Sequence, residues 1–318
     1  MTGYTLRRLG TVVLLLVAMS LLVFLATHAL PSSPAALILG QYSTPETLKA
    51  LEHRLGLDLP LPVQYWRWAS ALLQGDMGQS LVMERPVAPM LWDAFARSAV
   101  LAVASMAVVA VVGVTMGVVA AVWRGRWPDH AVSFFAYLGI SVPEFYWGLV
   151  LILVFGSTFH LLPTSGAADL ADGIGTYVSF LVLPVVTLTL TLLAHVSRLT
   201  RSSMAEELDS MYVKVARARG LPERVVIVRH ALRNALVPTI TVLAQDFGFL
   251  IGGIVAIETI FAYPGLGRLL IFSLQRQDLP LMQAAILVLT AVYCLANLAA
   301  DLLYGVVNPR IRYGGAVE

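Results

Sequence analysis

Tyr212-Val-Lys-Val-Ala-Arg-Ala-Arg-Gly-Leu221, followed by Arg229-His-Ala-Leu-Arg-Asn-Ala-Leu-Val-Pro238, is a basic and partly amphipathic stretch. It lies between two long apolar runs, residues 178–198 and 236–258. Tyr212 to Arg219 has the length of about two helical turns. Gly220 suits the position just past a helix end, because glycine tolerates a left-handed conformation. Pro222 then prevents continuation. Small Ala216 and Ala218 would let such a helix enter a shallow groove, where Arg217 and Arg219 can meet acidic residues at the rim. On the residues alone, a solvated loop that only sets membrane topology remains an alternative.

The composition around this stretch excludes most soluble enzymes. Apolar residues make up 58% of the 318-residue chain, charged residues 13%, and the mean hydropathy is +0.80. Soluble domains carry roughly 45–50% apolar and about 25% charged residues. The apolar residues fall in runs of about 20, the length a helix needs to cross a bilayer. The expectation is one all-α integral membrane domain over 1–318, with six spans near 9–30, 98–123, 131–157, 178–198, 236–258 and 281–306. The fourth is the weakest, with Pro184 and many threonines. The first is too long for a signal-peptide core, although Thr27-His28-Ala29 could pass as a cleavage site, and reads as an uncleaved anchor.

Basic residues set the orientation. Arg7 and Arg8, then Arg124 and Arg126, then the series from Arg198 to Arg233, and finally Arg310 and Arg312 fall on one side. Segment 158–177 on the other side has none, and 259–280 has only Arg268 and Arg276. Segment 31–97 has five, but long loops translocate largely regardless of charge. Both termini are therefore expected in the cytoplasm, with 31–97 outside and 199–235 a cytoplasmic loop. Gly113-Val-Thr-Met-Gly117 marks a close helix contact, read as intrachain packing. In the outer segment, Thr44 caps a helix begun by Pro45, with leucines 48, 51 and 55 on one face. Pro60 and Pro62 separate it from a second amphipathic stretch, Val63–Leu73, whose Trp66 and Trp68 suit a membrane interface or a docking surface.

No catalytic motif is present. The two lysines, Lys49 and Lys214, have apolar neighbours, so neither belongs to a phosphate-binding loop. Zinc-protease and nucleophile-elbow motifs are missing. The one cysteine, Cys294, cannot form an internal disulfide or a multi-cysteine zinc site and reads as a buried thiol. His195 reads as a structural hydrogen-bonding residue rather than a proton relay.

A set of short motifs runs in order along the chain: Leu6-Arg-Arg-Leu9; Leu55-Gly-Leu-Asp-Leu-Pro-Leu-Pro-Val-Gln-Tyr65; Gly75-Asp-Met-Gly-Gln-Ser80; Leu138-Gly-Ile-Ser-Val-Pro143; Arg198-Leu-Thr-Arg-Ser-Ser-Met204; Ala216-Arg-Ala-Arg-Gly-Leu221; Glu258-Thr-Ile-Phe261 with Pro264-Gly-Leu-Gly267; and Asn308-Pro-Arg-Ile-Arg-Tyr-Gly314. In this the chain resembles the first of the two permeases of dipeptide, oligopeptide, glutathione and nickel ABC importers. Lys214 and Val215 stand where the general permease loop has Glu-Ala, a departure common in this branch. The resemblance implies a type I importer permease fold. It also implies a bacterial inner-membrane location, a second homologous permease, two ATPase chains that bind ATP and Mg, and an external substrate-binding protein. It implies no cofactor, metal, catalytic site or nucleic acid in this chain. Tyr212, Val213, Lys214, Val215, Ala216, Arg217, Ala218, Arg219, Gly220 and Leu221 would contact the ATPase.

The cargo implied first is a peptide, with glutathione, nickel or another metal chelate as alternatives. An ATPase-independent secondary transporter and a membrane-anchored assembly or signalling subunit are the other classes. The first would be expected to show duplicated halves, which the sequence lacks. Charged groups at membrane depth are costly and mark pathways. Glu144, Asp246 with Gln245, and Glu258 near the outer mouth are therefore the expected translocation path, favouring a positively charged group. Asn297 and Asp301 share a face of the last span.

Overall fold

A computed structural model describes residues 2–29 and 44–307; Pro31, Arg310, Arg312 and the Asn308–Gly314 motif lie outside the described residues. The described chain is helical, apart from a single antiparallel bridge between Gln79 and Pro86. In lipid every backbone amide must find a partner within its own segment, which favours this solution. Helix α1 is Thr2–His28. Helices α2 (Pro45–Leu55) and α3 (Leu61–Leu73) form the outer segment. Then follow α4 (Val87–Val122), α5 (Trp127–Ser141), α6 (Glu144–Thr158), α7 (Ile174–Asp209), α8 (Met211–Ala218), α9 (Glu223–Ile260), α10 (Leu266–Gln275) and α11 (Leu279–Val307).

Among the described residues five helices are long and apolar enough to cross a membrane, and six spans result if α5 and α6 count as one. That pair occupies the expected span 131–157 but is broken within it, because α5 and α6 meet at 103°. Val142 is extended and Pro143 precedes α6. Proline disfavours helical backbone in the residue before it, so the helix ends there. The segment expected as loop 199–235 is largely helical. Helix α7 has 36 residues, about 54 Å at 1.5 Å per residue, so it runs well beyond a hydrocarbon layer of about 30 Å.

Helix α7 is the centre of the bundle, with α4, α5, α6 and α9 packed around it. The close approach of α4 uses the paired glycines. A Cβ at Gly117 would fall 2.5 Å from Thr200 Cβ and 2.6 Å from the Ser197 carbonyl. A Cβ at Gly113 would lie 3.1 Å from Val196. The motif therefore serves intrachain packing. Leu101, Leu188, Val196, Ile257 and Phe261 fill the main core. A second cluster, with Val87, Leu91, Leu266 and Leu281, joins α4, α10 and α11. Helix α10 lies in segment 259–280 and is packed into the bundle rather than left as an open loop. Cys294 is buried.

Helix α1 leans on α11, where Gln283 donates to buried Thr27 at 2.6 Å. Its other face leaves leucines such as Leu6 and Leu14 exposed to lipid. The outer segment follows the local sequence. Thr44 caps α2, with Thr47 N to Thr44 Oγ1 at 3.2 Å and Thr44 N to Thr47 Oγ1 at 2.9 Å. The side chains of Leu51 and Leu55 lie outside the described residues. Helix α3 docks on the end of α1 through Tyr65 and Ser20 (2.8 Å), Gln64 and His28 (3.0 Å), and Trp68 against Phe24. Trp66 points away and is exposed.

Candidate functional site: the α8 helix and the membrane carboxylates

Helix α8 begins after Ser210, whose extended backbone breaks it from α7. It ends as the sequence requires. Gly220 has φ +75°, Gly220 N donates to the Arg217 carbonyl at 2.9 Å, and Leu221 N reaches the Ala216 carbonyl at 3.4 Å. This two-bond end satisfies carbonyls that a helix terminus otherwise leaves open.

The two faces of α8 differ. Val213 and Ala216 are buried in a cluster with Met204, Val226 and Ala231. Val213 and small Ala216 therefore pack against their own chain. The outer face carries Met211, Val215 and Ala218, spaced i, i+4, i+7, with Lys214, Arg219, Gly220 and Leu221 also exposed. A Cβ at Gly220 would meet nothing within 4 Å. Arg217 is committed within the chain, donating to Glu223 at 2.6 and 3.2 Å. Arg219, rather than Arg217, is thus the arginine presented outward. Tyr212 donates to Glu207 and accepts from Asn234 at 3.0 Å. Desolvation, then the Glu207 carboxylate, raises the phenol's pKa and keeps it a donor. Behind this surface, Arg201 holds buried Asp129 by two bonds of 2.5 and 2.7 Å, and Asp129 also accepts from Gly125 N at 2.9 Å. The α4–α5 turn is thereby fixed to α7.

The intramembrane acids are not equivalent. Glu144 starts α6, is half-buried, and lays its carboxylate against Gly253, where a Cβ would fall 2.3 Å from Oε1. Asp246 is buried and pairs with His195 Nδ1 at 3.0 Å, which bears out the hydrogen-bonding role of that histidine. Gln245 beside it is exposed. Glu258 is fully buried and accepts from Ser98 Oγ, Gly267 N (2.7 Å) and Arg268 N (3.3 Å). It binds the first turn of α10, where free amides favour a carboxylate. Glu258 is therefore enclosed by its own chain near the outer end of α9. Asp301 pairs with Arg8 at 3.1 Å, and Asn297 lies against Gly248.

Sequence reading missed Ser98, Asp129, Arg201 and Asp278. Asp278 is buried and accepts from Ser80 Oγ, Leu81 N (3.2 Å) and Val82 N (3.3 Å), tying the outer 78–87 turn to the start of α11. Its signal was present in Asp278-Leu-Pro280, an acidic helix start with proline in the first turn.

An apolar bundle of membrane-length helices, with short α8 set between α7 and α9, defines an integral membrane protein. Residues 1–114 match the family described as the N-terminal part of binding-protein-dependent transport system membrane components. Residues 113–313 match the binding-protein-dependent transport system inner membrane component. The chain belongs to this family: it is a multi-pass inner-membrane permease subunit of a binding-protein-dependent ABC importer. It is 41% identical over 313 residues to the glutathione transport system permease protein GsiC of Escherichia coli K12, covering 98% of this chain and 100% of the relative. It is 40% identical, with the same coverage, to the protein of that name in Salmonella paratyphi A. A crystal structure of an amino acid ABC transporter with histidines aligns at a TM-score of 0.49 and 15% identity, covering 70% of this chain and 94% of that one.

Proposed function

We propose that this chain forms half of a translocation path with a second, homologous permease, and that α8 is the point where an ATPase drives it. The observation that carries this reading is the outward face of α8. It is apolar along Met211, Val215 and Ala218, basic at Lys214 and Arg219, and open around Gly220. An apolar strip of this kind at the end of a membrane bundle needs a protein partner. Two ATPase chains bind ATP and Mg, and one of them grips α8 from the cytoplasm, the side to which the excess of basic residues assigns both termini. An external binding protein delivers cargo to the opposite side. The cargo class is a small peptide, with glutathione, itself a tripeptide, favoured by the relatives' names.

Purification through a tag on this chain is expected to bring down phosphate-loop ATPases and a second permease. Vesicles holding the assembly, ATP and a loaded binding protein are expected to accumulate glutathione or tripeptides. Uptake that proceeds equally without nucleotide would refute the reading and favour a secondary transporter.

A further inference from the structure

Helix α3 has two faces rich in apolar side chains, and among the described residues only one of them has a partner. On that face Tyr65 Oη and Ser20 Oγ are 2.8 Å apart, Gln64 Oε1 and His28 Nε2 are 3.0 Å apart, and the Trp68 and Phe24 ring centroids are 5.8 Å apart. The opposite face carries Val63, Trp66 and Leu73, which fall within about 80° of one another at 3.6 residues per turn. They are 42%, 73% and 89% exposed. Arg67 is the one charged residue of α3, and with Gln74 it forms an exposed polar edge beside this face. The place of α3 in the fold identifies what covers the face. Ser20 lies about 12 Å along the axis from His28, where α1 ends. Tyr65 therefore reaches well inside the spanning part of α1. Leu21 and Leu25, next to Ser20 and Phe24, are 45% and 49% exposed, so α1 has hydrocarbon beside it at this level. The chain after α3 is tied down as well. A Cβ at Gly78 would lie 3.6 Å from Pro280 in the first turn of α11, and Ser80 donates to Asp278. From Gln74 to Gly78 the chain spans at most about 14 Å. Helix α3 is thus held at the level where α1 ends and α11 begins, and both are helices of membrane length.

We propose that α3 is an interfacial helix whose Val63–Trp66–Leu73 face enters the lipid leaflet away from α8, with phospholipid as its partner. The inference depends on neither the cargo nor the ATPase. The lipid-facing surface of α1 continues onto α3 through Leu21 and Leu25. Tryptophan favours the boundary between headgroups and hydrocarbon, which is where Trp66 then sits. An amphipathic helix lies at this boundary with its apolar face among the upper acyl chains. Arg67, at the edge of the face, extends its stem along the apolar surface and brings the guanidinium to the phosphate layer. Helix α3 contains no acidic side chain to repel that layer. A protein cover has less to offer here, because within lipid there is no hydrophobic force between apolar surfaces. Seated this way, α3 fixes the ends of α1 and α11 against the bilayer surface.

The test attaches a nitroxide label to Val63→Cys, Trp66→Cys, Leu73→Cys and Arg67→Cys, one at a time, in the assembly that purifies with this chain, held in lipid nanodiscs. Cys294 is buried and is expected to stay unlabelled. Labels at 63, 66 and 73 are expected to collide more with oxygen, which concentrates in lipid, than with a water-soluble nickel chelate. The label at 67 is expected to favour the chelate. Labels at 63, 66 and 73 that favour the chelate would make the face a solvated one and overturn the proposal. Labels shielded from both reagents would give the face to a protein neighbour such as the second permease, and would overturn it too. So would shielding that develops only when the external binding protein is added. The unsubstituted chain supplies an independent reading should the cysteine variants fail to assemble. A phospholipid with a diazirine near the top of its acyl chain is expected to crosslink within residues 61–73 on illumination, and a map with no crosslink there overturns the proposal.

Discussion

Gly220 is needed for two separable reasons. Its φ of +75° is one that L side chains rarely adopt, at a cost of roughly 1 kcal/mol. Its surroundings within the chain are empty, so any side chain there projects away from the bundle, into the surface proposed to meet the ATPase. Gly220→Arg is therefore expected to leave membrane levels intact but abolish cargo-coupled ATP hydrolysis. Gly220→Asn, which tolerates the left-handed backbone, should keep most transport. Equal transport by both variants, measured in vesicles, would remove α8 from the drive mechanism. Glu258 makes a different argument. Removing its carboxylate leaves the Ser98 hydroxyl and two amides of α10 without an acceptor, at about 1–3 kcal/mol for each buried group left unsatisfied. Glu258→Ala is expected to lower the unfolding temperature in detergent and reduce the level of protein. Remaining molecules should keep their cargo preference, because the carboxylate touches only its own chain. A changed preference at normal stability would return Glu258 to the path.

At the scale of elements, the α4–α7 contact is set by glycine. A Cβ at Gly117 would collide with Thr200 Cβ and a backbone carbonyl, neither of which can rotate away. Gly117→Val is expected to push the helices apart and cost about 1–3 kcal/mol, as overpacking of a tight core does. The readout is the thermal midpoint of the purified protein. Thr200→Ala in the same chain should recover little, since Cβ of residue 200 and the Ser197 carbonyl both remain. The α5–α6 bend shows the opposite balance between local and distant causes. Pro143 ends a helix by itself, but the 103° turn leaves Glu144 at a helix start, facing α9. A straight span would have placed that carboxylate mid-helix.

For the whole molecule, charge asymmetry and bundle geometry make one joint prediction. The basic α7–α9 connection and the α3 segment should lie on opposite sides of the membrane. Cys294 is buried and gives a quiet background for labelling. An impermeant thiol reagent is expected to modify Gln74→Cys in cells with the outer membrane opened, and Lys214→Cys only after the inner membrane is breached. The reverse pattern would invert the topology. The energetics agree with this layout. Apolar side chains face lipid on α1 and on the outer surfaces of α4 and α5, so the bundle is held by close helix contacts and by a few buried polar ties. Asp129 with Arg201, Asp278 with Ser80, and Glu258 with Ser98 are the main ones, and each joins different elements.

The sequence by itself determined what depends on short stretches and on composition: helices of membrane length, the side bearing the basic residues, the Thr44 cap, the break at Pro60 and Pro62 and the glycine that ends α8. These follow from hydrophobic run length, backbone sterics and capping, which act over a few residues. It did not determine which acids lie open and which are enclosed, nor which side of α8 faces out. Glu258 is sequestered by Ser98, 160 positions away, and Asp246 by His195, 51 positions away. Val213 and Ala216 turn inward because Met204 and Val226 pack against them. Only the tertiary structure decided these matters, because a side chain's burial and partners are set by neighbours that the chain brings together from distant segments.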